Sequence, residues 1–176
     1  MRGGVAIRGL PVQAVLPGRV ALVLSSRFPY GNALLVETPL DALPAAWRER
    51  LSLPAIPASP EKRTALTCPT PAAPAAFDFE QRSLYLLYAH MLQPPDLSVD
   101  DEIACGQPIG AIGESGNALN PHLHLEVRLG PAGARFPGMA HYDTGASSDE
   151  MAAYCQWRVS GAFLTIDPLL LFHGAN

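Results

Sequence analysis

Lysine is nearly missing from this chain: Lys62 stands alone against eleven arginines, and the formal net charge is -4. That balance argues against a broad nucleic-acid footprint, which needs cations clustered along a phosphate backbone. No apolar run approaches the roughly 18 residues of a membrane-spanning helix, so no membrane span is indicated. The N-terminal Met1–Arg8 does not resemble a signal peptide, because Arg8 and Pro11 break its apolar stretch. The expectation is a chain that stays inside the cell, or a mature or truncated form. Cysteine is sparse and odd in number. Cys68, Cys105 and Cys155 show no CxxC spacing, so at most one internal disulfide can form, and buried free thiols are the expected state. A phosphate loop is excluded, since GxxxxGK[ST] is absent. The most consequential gap lies at the start: residues 1–36 contain no His, Asp, Glu or Cys.

What is present reads as short strands and turns. The 176 residues suit one domain, 1–176, large enough to bury a core. Pro11–Leu16 and Arg19–Leu24 read as a pair of strands around the turn dipeptide Pro17-Gly18. Tyr30-Gly31-Asn32 is a second turn and feeds the apolar strand Ala33–Glu37. Ser83–Met91 is rich in β-formers and runs through His90, and Val99–Ile112 gives short strands punctuated by glycine. The spacing predicts a mainly β fold, an antiparallel sheet partly curled into an open sandwich or partial barrel. Two long stretches interrupt it, at about 39–80 and 130–161. In the first, proline at 39, 44, 54, 57, 60, 69, 71 and 74 excludes a long helix or central strand. One short helix is expected over Ala42–Leu51, anchored by Trp47. The second stretch predicts a helix over Asp149–Trp157, capped by Ser147 or Ser148.

The chemistry concentrates in Asn117–Arg128, whose centre is His122-Leu123-His124. In an extended strand, side chains at i and i+2 share a face. His122 and His124 therefore point one way, while Leu123, Leu125 and Val127 point into a core. Two imidazoles so close on one face suit a metal or an acid/base pair; two solvated histidines are the bland alternative.

Four further motifs precede this strand in order: Tyr30-Gly31-Asn32, Leu87-Tyr88-Ala89-His90, Gly106-Gln107-Pro108-Ile109-Gly110 and Gly113-Glu114-Ser115-Gly116. Together with Pro121–Arg128 they resemble the M23 (lysostaphin/LytM-type) family of zinc metallopeptidases, which cut peptide cross-links of bacterial peptidoglycan. The resemblance covers roughly residues 11–36, 84–128 and the closing Ile166–Leu169. It implies a lysostaphin/LytM-like fold with a duplicated hybrid motif, and a cell-envelope or extracytoplasmic setting. It also implies roles: His124 as a metal ligand, His122 and His90 as the acid/base pair acting on water and the tetrahedral intermediate. Tyr30, Asn32 and Tyr88 would flank the substrate groove.

The family's other two ligands come from an early HxxxD motif. Carried over, Arg2 stands where its histidine belongs and Ala6 where its aspartate belongs. Zinc sites are worth about 10–16 kcal/mol over about four ligands. One histidine therefore retains about 3–4 kcal/mol, a millimolar affinity. No cofactor is expected on this account. The leading expectation is a degenerate M23-like domain without zinc hydrolase activity, binding a peptidoglycan peptide or a cell-envelope protein. The alternative is an active zinc endopeptidase with one zinc ion, its missing ligands drawn from His141 and Asp143, from His173, or from residues ahead of Met1. A third reading, a β-sandwich carrier module, is poorly served by Lys62, which lies in the proline-rich stretch and not at a hairpin tip.

Overall fold

The computed structural model describes residues 6–43, 45, 48, 68 and 81–171. Of the helix expected over Ala42–Leu51, residues 45 and 48 are described and helical, while Ala42 closes a 3-10 turn, Leu40–Ala42; the rest of it, apart from Leu43, and most of the proline-rich stretch fall outside these residues. Eight strands are described: β1 (Pro11–Gln13), β2 (Gly18–Arg27), β3 (Gly31–Pro39), β4 (Arg82–Ala89), β5 (Glu102–Ile103), β6 (Pro108–Ala111), β7 (His124–Pro131) and β8 (Leu164–Ile166). Six of them form one antiparallel sheet in the order β5-β2-β3-β4-β7-β8, while β1 and β6 pair apart from it. The fold is mainly β, antiparallel and not closed into a barrel.

The expected hairpin around Pro17-Gly18 does not form. β1 pairs instead with β6, Pro11 facing Ala111, and β2 takes β3 and β5 as neighbours. The turn residues explain the departure. Thr38 donates its hydroxyl to the Pro17 carbonyl at 2.7 Å, and a Cβ on Gly18 would stand 2.2 Å from the Glu37 carbonyl oxygen. Gly18 thus serves close packing of β2 on β3, and only glycine permits that approach.

Both faces of the central sheet are covered, which is why β4 reads as a nearly continuous apolar run. Leu84, Leu86 and Tyr88 join one core cluster with Val12, Val36, Val127 and Ile109. Tyr85, Leu87 and Ala89 join another with Phe136, Met139, Trp157 and Phe163. The second cluster draws Phe136, Met139, Tyr154, Cys155 and Trp157 from the 130–161 stretch, which folds back over the sheet. Its helix α1 (Ser148–Val159) starts at Ser147, whose hydroxyl accepts from Glu150 N while the Glu150 carboxylate accepts from Ser147 N. This reciprocal cap satisfies two donors that a helix start leaves open. It confirms the helix and selects Ser147 of the two expected caps.

The cysteine expectation is overturned. Cys68 and Cys155 form a disulfide with their Cα atoms 5.6 Å apart, and Cys105 alone keeps a free, exposed thiol. Cys155 lies on the buried face of α1, so the bridge ties the first long stretch to the second across the sheet's covered face. Eighty-seven residues separate the pair in sequence, which is why spacing carried no sign of the pairing.

Candidate functional site

Three histidines converge where β4 ends and β7 begins. β4 stops at Ala89, and His90 follows in the left-handed region at φ 61°, turning its ring out of the strand direction. The turn is fixed on both sides: His90 N donates to the Tyr30 carbonyl and Met91 N to the Asn32 carbonyl, both at 3.0 Å. The ring of His90 lies 4.8 Å from that of His122 and 5.6 Å from that of His124. His124 opens β7 opposite Ala89, and His122 bridges to Gly113 just ahead of it. The shared face expected of His122 and His124 is thus seen in their common neighbour, His90.

Hydrogen bonds set the tautomers. His90 Nδ1 is 2.7 Å from the Ser115 carbonyl, and His122 Nδ1 is 2.8 Å from the Asn120 carbonyl. A carbonyl only accepts, so each Nδ1 carries a proton and each neutral ring keeps its lone pair on Nε2. Burial lowers the His90 pKa; the Ser115 carbonyl works against that, and the neighbouring His124 and His122 reinforce it. His90 is therefore held toward the neutral form, as a general base requires.

Beside them lies a charged network on the same face of β7. Glu126 is buried, and its carboxylate accepts from Arg128 Nε at 2.6 Å, Arg158 Nη1 at 3.3 Å and the Tyr30 hydroxyl at 3.4 Å. His124 Nε2 approaches it at 3.5 Å. Burial alone would raise the Glu126 pKa, but the bond to His124 and the charges of Arg128 and Arg158 outweigh it and pull it down to about 2. Arg128 is anchored in turn by the carbonyls of Trp157 and Phe163 and lies over the Trp157 ring. Burial, with Glu126 adding to it, raises the Tyr30 phenol pKa, so the hydroxyl keeps its proton as donor.

The remaining candidates separate. Asn32 is a bracket: its carbonyl oxygen accepts from Ser26 N at 2.9 Å, its amide donates to the Met91 carbonyl and its backbone N donates to Ser115 Oγ. Tyr88 is 1% exposed and belongs to the opposite face of the sheet from His124, its hydroxyl accepting from Val15 N at 2.9 Å. Its register partner is Leu125, one residue past His124, and strand alternation sends both side chains away from the histidines. Ala6 is exposed, and Arg2 lies outside the described residues, as does His173. His141 stacks on Tyr154, with ring centroids 4.9 Å apart, and its backbone N donates to the Phe28 carbonyl. Asp143 accepts from Gly145 N at 2.8 Å in an exposed turn. Ser115, Glu126, Arg128 and Arg158 were not singled out in the sequence, although Glu126 and Arg128 follow His124 at the strand period.

Residues 79–135, which include β4, β7 and all three histidines, match the family model for peptidase family M23. Over that segment the chain is similar to peptidase family M23. Similar solved structures include the catalytic domain of a point mutant of the prophage-encoded M23 protein EnpA from Enterococcus faecalis (21% identity, 76% of this chain and 73% of that chain, TM-score 0.41). The catalytic domain of the antimicrobial peptidase lysostaphin from Staphylococcus simulans is another (20% identity, 69% of this chain and 60% of that one, TM-score 0.42). A zinc containing peptidase from Vibrio cholerae shares 20% identity over 70% of this chain and 24% of its own, with a TM-score of 0.40.

A catalytic zinc requires about three protein donors, and the described residues of the groove do not supply such a set. Among the described residues, His90, His122 and His124 do not bring their ligand atoms together at metal-holding distance; Cys68, His141 and Cys155 do, in a different place. The carboxylate nearest His124 is already engaged by two guanidinium groups. The described residues therefore do not fit a three-ligand catalytic zinc in the groove.

Proposed function

We propose that this M23-fold domain is a binding or regulatory module of the cell envelope, without zinc hydrolase activity, that recognises a peptidoglycan peptide or an envelope protein. The observation that carries the reading is the state of His124. Its nearest carboxylate, Glu126, is neutralised by Arg128 and Arg158, and a dication placed there meets two fixed positive charges within the same network. Binding finds better support. A cleft of about 310 Å³ opens beside His124 and is lined by Glu126, Arg158, Thr165 and Pro168. That is the lower end of ligand-site volumes, about 300–1,000 Å³. Arg158 is 41% exposed in its side chain and offers guanidinium N–H groups to a carboxylate, the group that peptide stems and C-termini carry. An active zinc endopeptidase needs replacement donors at His124. His141 packs against Tyr154, and Asp143 closes its own turn.

The test is sedimentation with purified peptidoglycan, run beside a cross-link cleavage assay in the presence of zinc. The expected outcome is co-sedimentation without cleavage. Zinc-dependent cleavage abolished by His124→Ala would replace this reading with the endopeptidase.

A further inference from the structure

A second cluster, of cysteine and histidine, is built from other residues than the groove histidines and takes no part in the proposed function; its His141 packs on Tyr154, which in turn packs on Tyr30 of the groove. Cys155 is fully buried on the inner face of α1, Cys68 is half-buried against it, and His141 is buried between Phe28 and Tyr154. One ligand atom from each, the two Sγ atoms and a ring nitrogen of His141, lies within 4.8 Å of the others. The loop holding His141 is fixed to the helix holding Cys155. Ala140 N donates to the Glu150 carbonyl, and Tyr142 turns the chain at φ 59° immediately after the histidine.

We propose that Cys68, His141 and Cys155 form a redox-gated site for a borderline-soft transition metal such as zinc, which is closed while the disulfide exists and opens when it is reduced. Two thiolates and one imidazole are a recognised zinc donor set, with the fourth position left to water or a small ligand. No fourth His, Cys, Asp or Glu among the described residues belongs to the group. Sulfurs bonded to each other cannot both ligate. Tetrahedral zinc with Zn–S bonds of about 2.3 Å needs them about 3.8 Å apart. Gating then follows from stoichiometry. A dithiol reductant transfers two electrons and two protons to the disulfide, becoming oxidised to its own disulfide and leaving two thiols. Zinc binding releases those two protons as the thiolates ligate. His141 supplies the third donor already in place, which distinguishes the constellation from an ordinary buried disulfide.

The experiment uses the full chain, oxidised and after reduction with a dithiol that is then removed under anaerobic conditions. Cobalt(II) is the probe, read by thiolate-to-cobalt charge-transfer absorption, with zinc competition and elemental analysis for stoichiometry. The expected result is one equivalent of metal with sulfur charge transfer in the reduced protein and none in the oxidised protein. In His141→Asn, whose disulfide forms before reduction and certifies folding by circular dichroism, affinity falls by about tenfold or more while charge transfer persists. Zinc also raises the Tm of the reduced wild type and not of Cys68→Ser. Three results would overturn the proposal: no charge transfer in folded reduced protein, binding indifferent to His141→Asn, or binding lost in His124→Ala. The last would move the metal to the groove and contradict the proposed function as well. Failure at Cys68 and His141 alone leaves that function standing.

Discussion

At the scale of single residues, Glu126 governs the groove. Its carboxyl is held at about 2 against an ordinary 4.5 by His124, Arg128 and Arg158, in spite of its burial. A depressed carboxyl stabilises the fold above its unfolded pKa and loses that contribution as pH falls through the folded value. The account predicts about 3 kcal/mol of acid-sensitive stability lost between roughly pH 4.5 and pH 2. Urea unfolding across that range measures it, and Glu126→Gln flattens the dependence while costing about 2 kcal/mol at neutral pH. Arg158→Ala, beside the cleft, is expected to weaken peptidoglycan binding about tenfold, the loss of one charge-assisted hydrogen bond; titration of a soluble stem peptide reads it. Much of this face was legible in the sequence. His122 and His124 at the strand period forecast a shared face, and Glu126 and Arg128 continue the same alternation. Arg158 was not legible, because it arrives from a helix thirty-two residues after Glu126. Tyr88 was assigned to the groove on motif resemblance, yet strand parity places it in the opposite core.

At the scale of elements, the groove depends on two clamps. Gly31 is the first: it sits at φ 71°, and a Cβ there would stand 2.4 Å from the backbone and hydroxyl of Ser115. Gly31→Ala therefore combines left-handed strain with a clash against the segment that orients His90. The expected cost is about 1–3 kcal/mol, together with a shifted His90 imidazole resonance by NMR. A change in stability without any shift at His90 would detach Gly31 from the site. The second clamp is α1. Ser147→Ala removes its cap and is expected to cost about 1 kcal/mol in urea unfolding. The helix and its cap were readable from Ser147, Glu150 and the apolar positions. Its partner was not. The sequence marks the 130–161 stretch as an insertion, whereas its Phe136, Met139 and Trp157, with Phe163 just beyond it, cover the sheet face that continues into the groove. The mistaken hairpin of β1 and β2 has a similar cause, since Pro17-Gly18 signals a turn but says nothing of which strand the turn's arms will join.

At the scale of the whole molecule, the Cys68–Cys155 bridge closes a loop of 87 residues that contains β4. Chain-entropy reasoning gives such a closure about 4.6 kcal/mol. Reduction is thus expected to lower Tm markedly in the absence of metal, as followed by circular dichroism. Sequence spacing held no trace of that pairing, because distance along the chain reveals nothing about strands crossing in space. The expectation of a missing donor pair around His124 rests on composition: no His, Asp, Glu or Cys occurs in residues 1–36. The measurement that tests the central claim most directly is zinc binding by the oxidised protein, in which the disulfide silences Cys68 and Cys155. The account predicts no stoichiometric zinc at micromolar concentration. One equivalent of tightly held zinc, lost on His124→Ala, would contradict it.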